Sequence, residues 1–425
     1  MLKRLSLLVA LFAAAAPASA AAETLVVHAG RLIADASQRP RGPSTITIVD
    51  GRITAVSDGH QPAPAGARLI DLSARTVLPG LIDTHVHLAG DPGGDFWRDA
   101  VESDEWWTLI GVKNARTTVR AGFTTVRDLG SPPHVGFALA RGTADGIITG
   151  PRIVSAGPAI SIVGGHGDVS GFRPEVIEAL SLDNTCTGAN ECAARVRQLA
   201  RLGAQVIKFT ATGGVLSQQA RGLEAHFTDE EMRAIVVTAH SLGLKVAAHA
   251  HGARGIEAAA RAGVDSIEHG TFADARAIQA MRASNTAFVP TLMAFVGIRE
   301  GLGRGVYTPV VEAKIRETLE HHGRAPRAAR AAGVPIVFGT DSGVFAHGRN
   351  AEEFRLMVEL VGMSPAEAIA SATTGAARLL GLESEVGRIA PGFSADLIAV
   401  DGDPLQDVRR LESVAFVMVR GRPVE

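Results

Sequence analysis

Several short apolar runs in this 425-residue chain end in side chains that bind metals. The first reads Gly80-Leu81-Ile82-Asp83-Thr84-His85-Val86-His87. In an extended strand alternate side chains share a face, so His85 and His87 point one way while Thr84 and Val86 point the other. Two imidazoles on one face are either a metal grip or a polar strand turned to solvent, and one pair alone does not decide. The later runs add Lys208 after Val206-Ile207, then His249-Ala250-His251, Glu268-His269-Gly270 and Gly339-Thr340-Asp341. A single strand-end histidine is ordinarily a satisfied polar residue. The joint pattern predicts a cluster built from His85, His87, Lys208, His249, His269 and Asp341.

Lys208 is the odd member. Beside a cationic site, burial and positive neighbours push an ammonium down from about 10.4 towards a neutral amine. A neutral amine can add CO₂ and become a carbamate, N6-carboxylysine, an anionic two-oxygen ligand able to bridge two cations. The alternative is a lysine paired with a nearby carboxylate. With a carbamate, Asp341 and a bridging hydroxide as anions, two divalent ions leave the cluster at about +1, suited to polarising a carbonyl. Nitrogen and oxygen ligands without thiolate favour zinc, with manganese, cobalt or iron next.

The elements that carry these residues repeat. Eight short runs, 81–87, 124–128, 152–156, 205–210, 245–250, 265–270, 287–291 and 336–341, alternate with amphipathic stretches such as 192–202, 229–242 and 309–332. Strand and helix alternating eightfold predict an α/β fold, a (β/α)₈ TIM barrel, whose strand ends meet at one mouth. The flanks differ. Short strands around Asp50-Gly51 and again within 387–424 predict a small β-sandwich domain built from both chain ends. The expected division is 1–22, 23–79, 80–376 and 377–425.

Residues 1–22 read as a secretory signal peptide, with Lys3 and Arg4 before an apolar core and small residues near Ala20. A periplasmic or secreted protein follows. Removing those two charges leaves 40 basic residues (42 − 2) against 44 acidic ones, a net charge of −4, with no basic footprint for nucleic acid. No later run is long and apolar enough for a membrane span. The two cysteines, Cys186 and Cys192, form either a disulfide or a pair of thiols, and export favours the disulfide.

The set formed by Leu78 to His87, Lys208, His249, His269 and Gly339-Thr340-Asp341, with Gly387 to Leu397 as a returning segment, resembles the amidohydrolase superfamily over nearly all of the mature chain. The resemblance implies that His85, His87 and Asp341 bind one metal, His249 and His269 the other, and carboxylated Lys208 both. A metal-bridging hydroxide then attacks a carbonyl, with Asp341 as general base and acid. No Glu follows His249, where mononuclear deaminases usually carry one, so amide hydrolysis is favoured over deamination. The loops Gly164-Gly165-His166-Gly167 and Thr212 to Ser217, with His251, resemble the Xaa-Pro dipeptidase and carboxypeptidase-like branch. That branch is related to imidazolonepropionase and contains ochratoxin-hydrolysing amidohydrolases.

The expected substrate is therefore a small molecule with an amide before a C-terminal amino acid: a dipeptide, an N-acyl amino acid or ochratoxin A. A cyclic amide or lactone is the alternative. Candidate contacts for its carboxylate are His166, His251, Arg221, Tyr307 and His347. The stretch Gln218-Gln219-Ala220-Arg221 departs from the branch, whose loop here is richer in Pro and Asp. Trp97, Trp106 and Trp107 would wall a bulky substrate or fill an interface. The resemblance also implies a homo-oligomer, octamers among the forms.

Overall fold

The computed structural model describes residues 23–93, 95–219 and 222–425. The expected signal peptide and Arg221 lie outside the described residues. Four strands open the chain: β1 (Thr24–Leu32), β2 (Ser44–Val49), β3 (Arg52–Asp58) and β4 (Arg68–Pro79). The barrel strands follow as β5 (Leu81–Val86), β6 (Phe123–Asp128), β7 (Arg152–Ser155), β8 (Val206–Thr210), β9 (Lys245–Ala250), β10 (Ser266–His269) and β11 (Ala287–Val289). The chain ends with β12 (Leu397–Val400), β13 (Val414–Val419) and β14 (Arg422–Pro423).

Both chain ends join one seven-stranded sheet in the order β14-β13-β12-β4-β1-β2-β3. Its seam is the antiparallel pairing of β12 with β4, Leu397 facing Pro79. Leu25, Val27, Ile46, Ile48, Leu397 and Met418 bury its apolar side. The Asp50-Gly51 turn joins β2 to β3, as the alternating runs on either side predict. β4 ends one residue before β5, so the sheet feeds directly into the first ligand-bearing strand.

The barrel is two parallel arcs, β5-β6-β7 and β11-β10-β9-β8. Buried on both faces, such strands read as continuous apolar runs, and every residue of β5, β6 and β8 is buried. Ile160 bridges to Phe209 and links the arcs on one side. The eighth run, 336–341, closes the other side without becoming a regular strand. Ile336 bridges to Phe288, the Thr84 amide donates to the Phe338 carbonyl at 3.2 Å, and the Asp341 amide donates to the His85 carbonyl at 2.7 Å. The run departs from strand geometry at its end because Asp341 turns into the left-handed region, φ 64°.

The helices follow ordinary stop and start chemistry. Thr228 and Glu231 form a capping box at the start of the helix Asp229–Ser241. Gly263 closes the helix Ala253–Ala262 in the left-handed conformation, which lets the chain turn into β10. Cys186 and Cys192 are joined as a disulfide at the entry to the helix Ala189–Leu202. Among the described residues no helix is long and apolar enough to cross a membrane.

Candidate metal centre

β5 delivers His85 at its end and His87 just beyond it, and the two rings lie 5.4 Å apart by centroid. β10 brings His269 to 5.1 Å from His85, and β9 brings His249 to 4.6 Å from His269. From β8, Lys208 Nζ reaches 3.5 Å from His85 Nε2. Asp341 Oδ1 stands 3.4 Å from His85 Nε2 and 3.1 Å from His87 Nε2. The predicted residues from five parts of the sequence thus meet at one barrel mouth. Two triads of donor atoms stand there, His85 with His87 and Asp341, and His249 and His269 with His251, a residue outside the predicted ligand set, each triad within 4.8 Å.

Each ring has one nitrogen held by a neighbour, which turns the other towards the centre. His85 Nδ1–H donates to Glu268 Oε2 at 2.8 Å, and His87 Nδ1–H donates to the Gly130 carbonyl at 3.0 Å. His249 Nε2–H donates to the Gly213 carbonyl at 3.2 Å. His251 Nδ1 pairs with Thr271 Oγ1 at 2.7 Å, and His269 Nδ1 with Thr291 Oγ1 at 2.8 Å. Such partners fix tautomer and ring direction in metal sites. His269, Asp341 and the Thr291 that holds His269 all have positive φ (69°, 64° and 47°), local strain gathered around the cluster.

Electrostatics favour the ligand forms. Burial, followed by the charge of Lys208, holds His85 down to about 4, and burial holds His251 down to about 3. Burial and neighbouring imidazoles press His249 and His269 well below the ordinary value. His87 goes the other way, because the Asp341 carboxylate outweighs the burial that works to lower it. Burial also brings Lys208 down to about 8 despite Glu268 and Asp341 nearby, which favours the neutral amine that the carbamate requires. Asp341 Oδ1 is buried without a hydrogen-bond donor. Inward ring nitrogens, with one undonated carboxylate oxygen, are a donor set that fits divalent zinc-like cations.

A support layer lies beneath, unnoticed in the sequence. Arg127, with 0% exposure, donates to Glu268 Oε1 at 2.9 Å and to the Thr84 carbonyl at 2.6 Å, so Glu268 links a buried guanidinium to His85. Asp83 accepts from Thr340 Oγ1 at 2.6 Å and Asn350 Nδ2 at 2.8 Å, tying β5 to the residue before Asp341. The available signal was a charged pair, Arg127-Asp128, closing an otherwise apolar run.

The cluster floors a cavity of about 820 Å³ walled by Trp107, Val215, Leu216, Phe295 and Ile298. His166 enters it, its ring 4.2 Å from that of His249 and its Nδ1 without a partner. His251, expected as a substrate contact, lines this cavity and also stands within the second triad. Tyr307 lines a smaller adjoining cavity of about 380 Å³ beside His87. His347 faces neither space. Its Nε2–H lies 3.2 Å from the carbonyls of both His87 and Gly90, and its Nδ1 3.2 Å from Thr118 Oγ1, so it braces the turn after His87 rather than reaching a substrate. Trp107 walls both cavities, whereas Trp97 and Trp106 are exposed.

Residues 76–424 match the amidohydrolase family, and the chain belongs to it. The chain is 31% identical over 409 residues to ochratoxinase from Aspergillus niger, covering 91% of this chain and 83% of the relative. Among solved structures, a Xaa-Pro dipeptidase with methionine bound in its active site superposes with TM-score 0.87 at 36% identity, covering 95% of this chain and 100% of the other. A prolidase complexed with N-methylphosphonate-L-proline gives 0.86 at 30%, covering 95% and 99%. These relatives fit the branch indicated by the sequence, and the protein is a hydrolase acting on amide or peptide bonds.

Proposed function

We propose that this protein is an exported amidohydrolase that holds two divalent cations, zinc the favoured species, and cleaves the amide bond before a C-terminal amino acid. The observation that carries the reading is the pair of donor triads on one cavity floor with Lys208 beside them. His85, His87 and Asp341 would hold one ion, and His249 and His269, with His251 alongside, would hold the other. Lys208, as N6-carboxylysine, would add a carboxylate donor beside both triads. Bound there, the cations would supply an acidified water and polarise a carbonyl.

The chain's own groups do the rest. The Asp341 carboxylate, placed by the Asp83 and Thr340 bonds behind it, takes the proton of the attacking water and returns it to the leaving nitrogen. The apolar wall excludes water and accepts the acyl or side-chain portion. His166, with an unpartnered ring nitrogen, receives the substrate carboxylate. The similarity to a dipeptidase with bound methionine and to a prolidase bound to a proline derivative supports an amino acid as the leaving group. The likeness to ochratoxinase puts ochratoxin A among the substrates to test. Export is supported by the leader-like segment 1–22 together with the Cys186–Cys192 disulfide. The reading includes a closed homo-oligomer, for which exposed Trp97, Val101, Trp106 and Leu109 offer apolar surface.

The test is a panel of dipeptides, N-acyl amino acids, ochratoxin A and lactones, with metal content measured on the same samples. Two metals per chain and turnover confined to amides with a C-terminal amino acid are expected. One metal per chain, or turnover of lactones alone, would sink the reading.

A further inference from the structure

A buried cation outside the proposed ligand set lies beneath the cavity wall. Lys314, on the helix Pro309–Leu319, is only 6% exposed, and among the described residues it has no carboxylate partner. Its ammonium donates instead to three backbone carbonyls of one turn: Gly214 at 2.8 Å, Ser217 at 2.6 Å and Gln219 at 3.4 Å. Three N–H groups meeting three carbonyls exhaust what an ammonium can donate. A buried charge with this arrangement is costly unless each bond is made, so the turn and the helix hold one geometry together.

That turn does several things at the site. The Gly213 carbonyl receives His249 Nε2–H. Gly214 lies against the His166 ring, so closely that a Cβ there would stand 2.1 Å from the ring, which leaves glycine as the residue that fits. Val215 and Leu216 wall the cavity. Gln219 Nε2 donates to the Gly165 carbonyl at 2.8 Å, one residue from His166, and Thr308 Oγ1 donates to Gln218 Oε1 at 2.9 Å. Val215, Val311 and Ile315 pack between the helix and the turn. Lys314 therefore sits at the root of a chain of contacts running from a peripheral helix to two of the imidazoles.

We propose that Lys314 is a positioning residue: its three bonds to the 214–219 turn set where His166 and the Val215–Leu216 wall stand over the metal cluster, and so set substrate affinity rather than the chemical step. The proposal rests on the functional reading above, so its test includes measurements that need no turnover.

Lys314→Met keeps the stem and removes the donors. Hydrogen exchange over 213–219 should quicken while barrel strands β5, β8 and β9 keep their protection. KM for the best amide of the panel should rise about tenfold with kcat within about threefold, the size expected for losing charged hydrogen bonds that orient a binding wall. Competition with a zinc chelator should show both ions retained. Lys314→Arg, which keeps charge and several donors, should recover most of the exchange protection. Equal loss of protection throughout the barrel, unchanged exchange in the turn, or a fall in kcat at constant KM would each overturn the proposal. Should Lys314→Met not yield folded protein, Gln219→Leu cuts the next link, to Gly165, and the same split in KM and kcat decides. If the wild type turns over nothing in the panel, the functional reading falls, while exchange and chelator competition still decide the role of Lys314.

Discussion

Asp341 has two tasks that can be separated by one atom. Its Oδ1 is buried, undonated and near the Nε2 atoms of His85 and His87. Asp341→Asn keeps the shape and an oxygen but removes the base, so kcat should fall by about 10²–10⁴-fold while the thermal midpoint changes little. Turnover near wild type would remove Asp341 from the proton path. Glu268 calls for a different measurement. It is anionic, held low at about 2 because Arg127 and His85 outweigh its burial. Glu268→Gln retains a hydrogen-bond acceptor for His85 but leaves Arg127 buried without a counter-charge. Breaking one side of a buried pair typically costs about 3–5 kcal/mol, so urea unfolding should show a loss of that order. A loss below about 1 kcal/mol would mean that the guanidinium is adequately served by the Thr84 carbonyl and Ser266.

At the level of elements, the barrel strands were legible because parallel strands buried on both faces leave apolar runs, several of them preceded by a helix-stop glycine such as Gly263. The site was legible for a related reason: His85, His87, His249 and His269 are polar residues at the ends of those runs. What the sequence hid was support at a distance. Nothing near Thr271 or Thr291 announces that their hydroxyls hold His251 and His269, because the contacts form between loops rather than within a period. His347 shows the opposite case, a histidine near the mouth whose Nε2 is already occupied by the turn after His87 and whose Nδ1 is occupied by Thr118. The Cys186–Cys192 link also belongs to this scale. It closes a loop with a sequence separation of only 6, at the start of the helix behind β8. The chain-entropy estimate for so short a loop is about 2 kcal/mol, so the double Cys→Ser variant should lose roughly that in urea unfolding and keep its metal. A larger loss together with lost metal would make the link part of the site rather than a local staple.

For the whole molecule, the concentration of neutral imidazoles at one mouth makes acid the natural denaturant. An unfolded histidine takes a proton near 6.5, whereas His85 does so only at about 4 and His166 and His251 only at about 3. Between those values the unfolded chain holds more protons than the folded one, so stability falls as pH falls. By pH 5 each such ring costs about 2 kcal/mol relative to pH 7, and several rings act together. The metal-free protein should therefore lose most of its stability between pH 6.5 and 4, read as a steep fall in the thermal midpoint. Added zinc should raise the midpoint at pH 7, since an ion that binds only the folded chain stabilises it. The gain should shrink towards pH 5, where protons and metal compete for the same ring nitrogens. A midpoint flat across that window in the metal-free protein would mean that the rings are hydrated and free to charge, and the dry cluster inferred from their burial would not exist in solution.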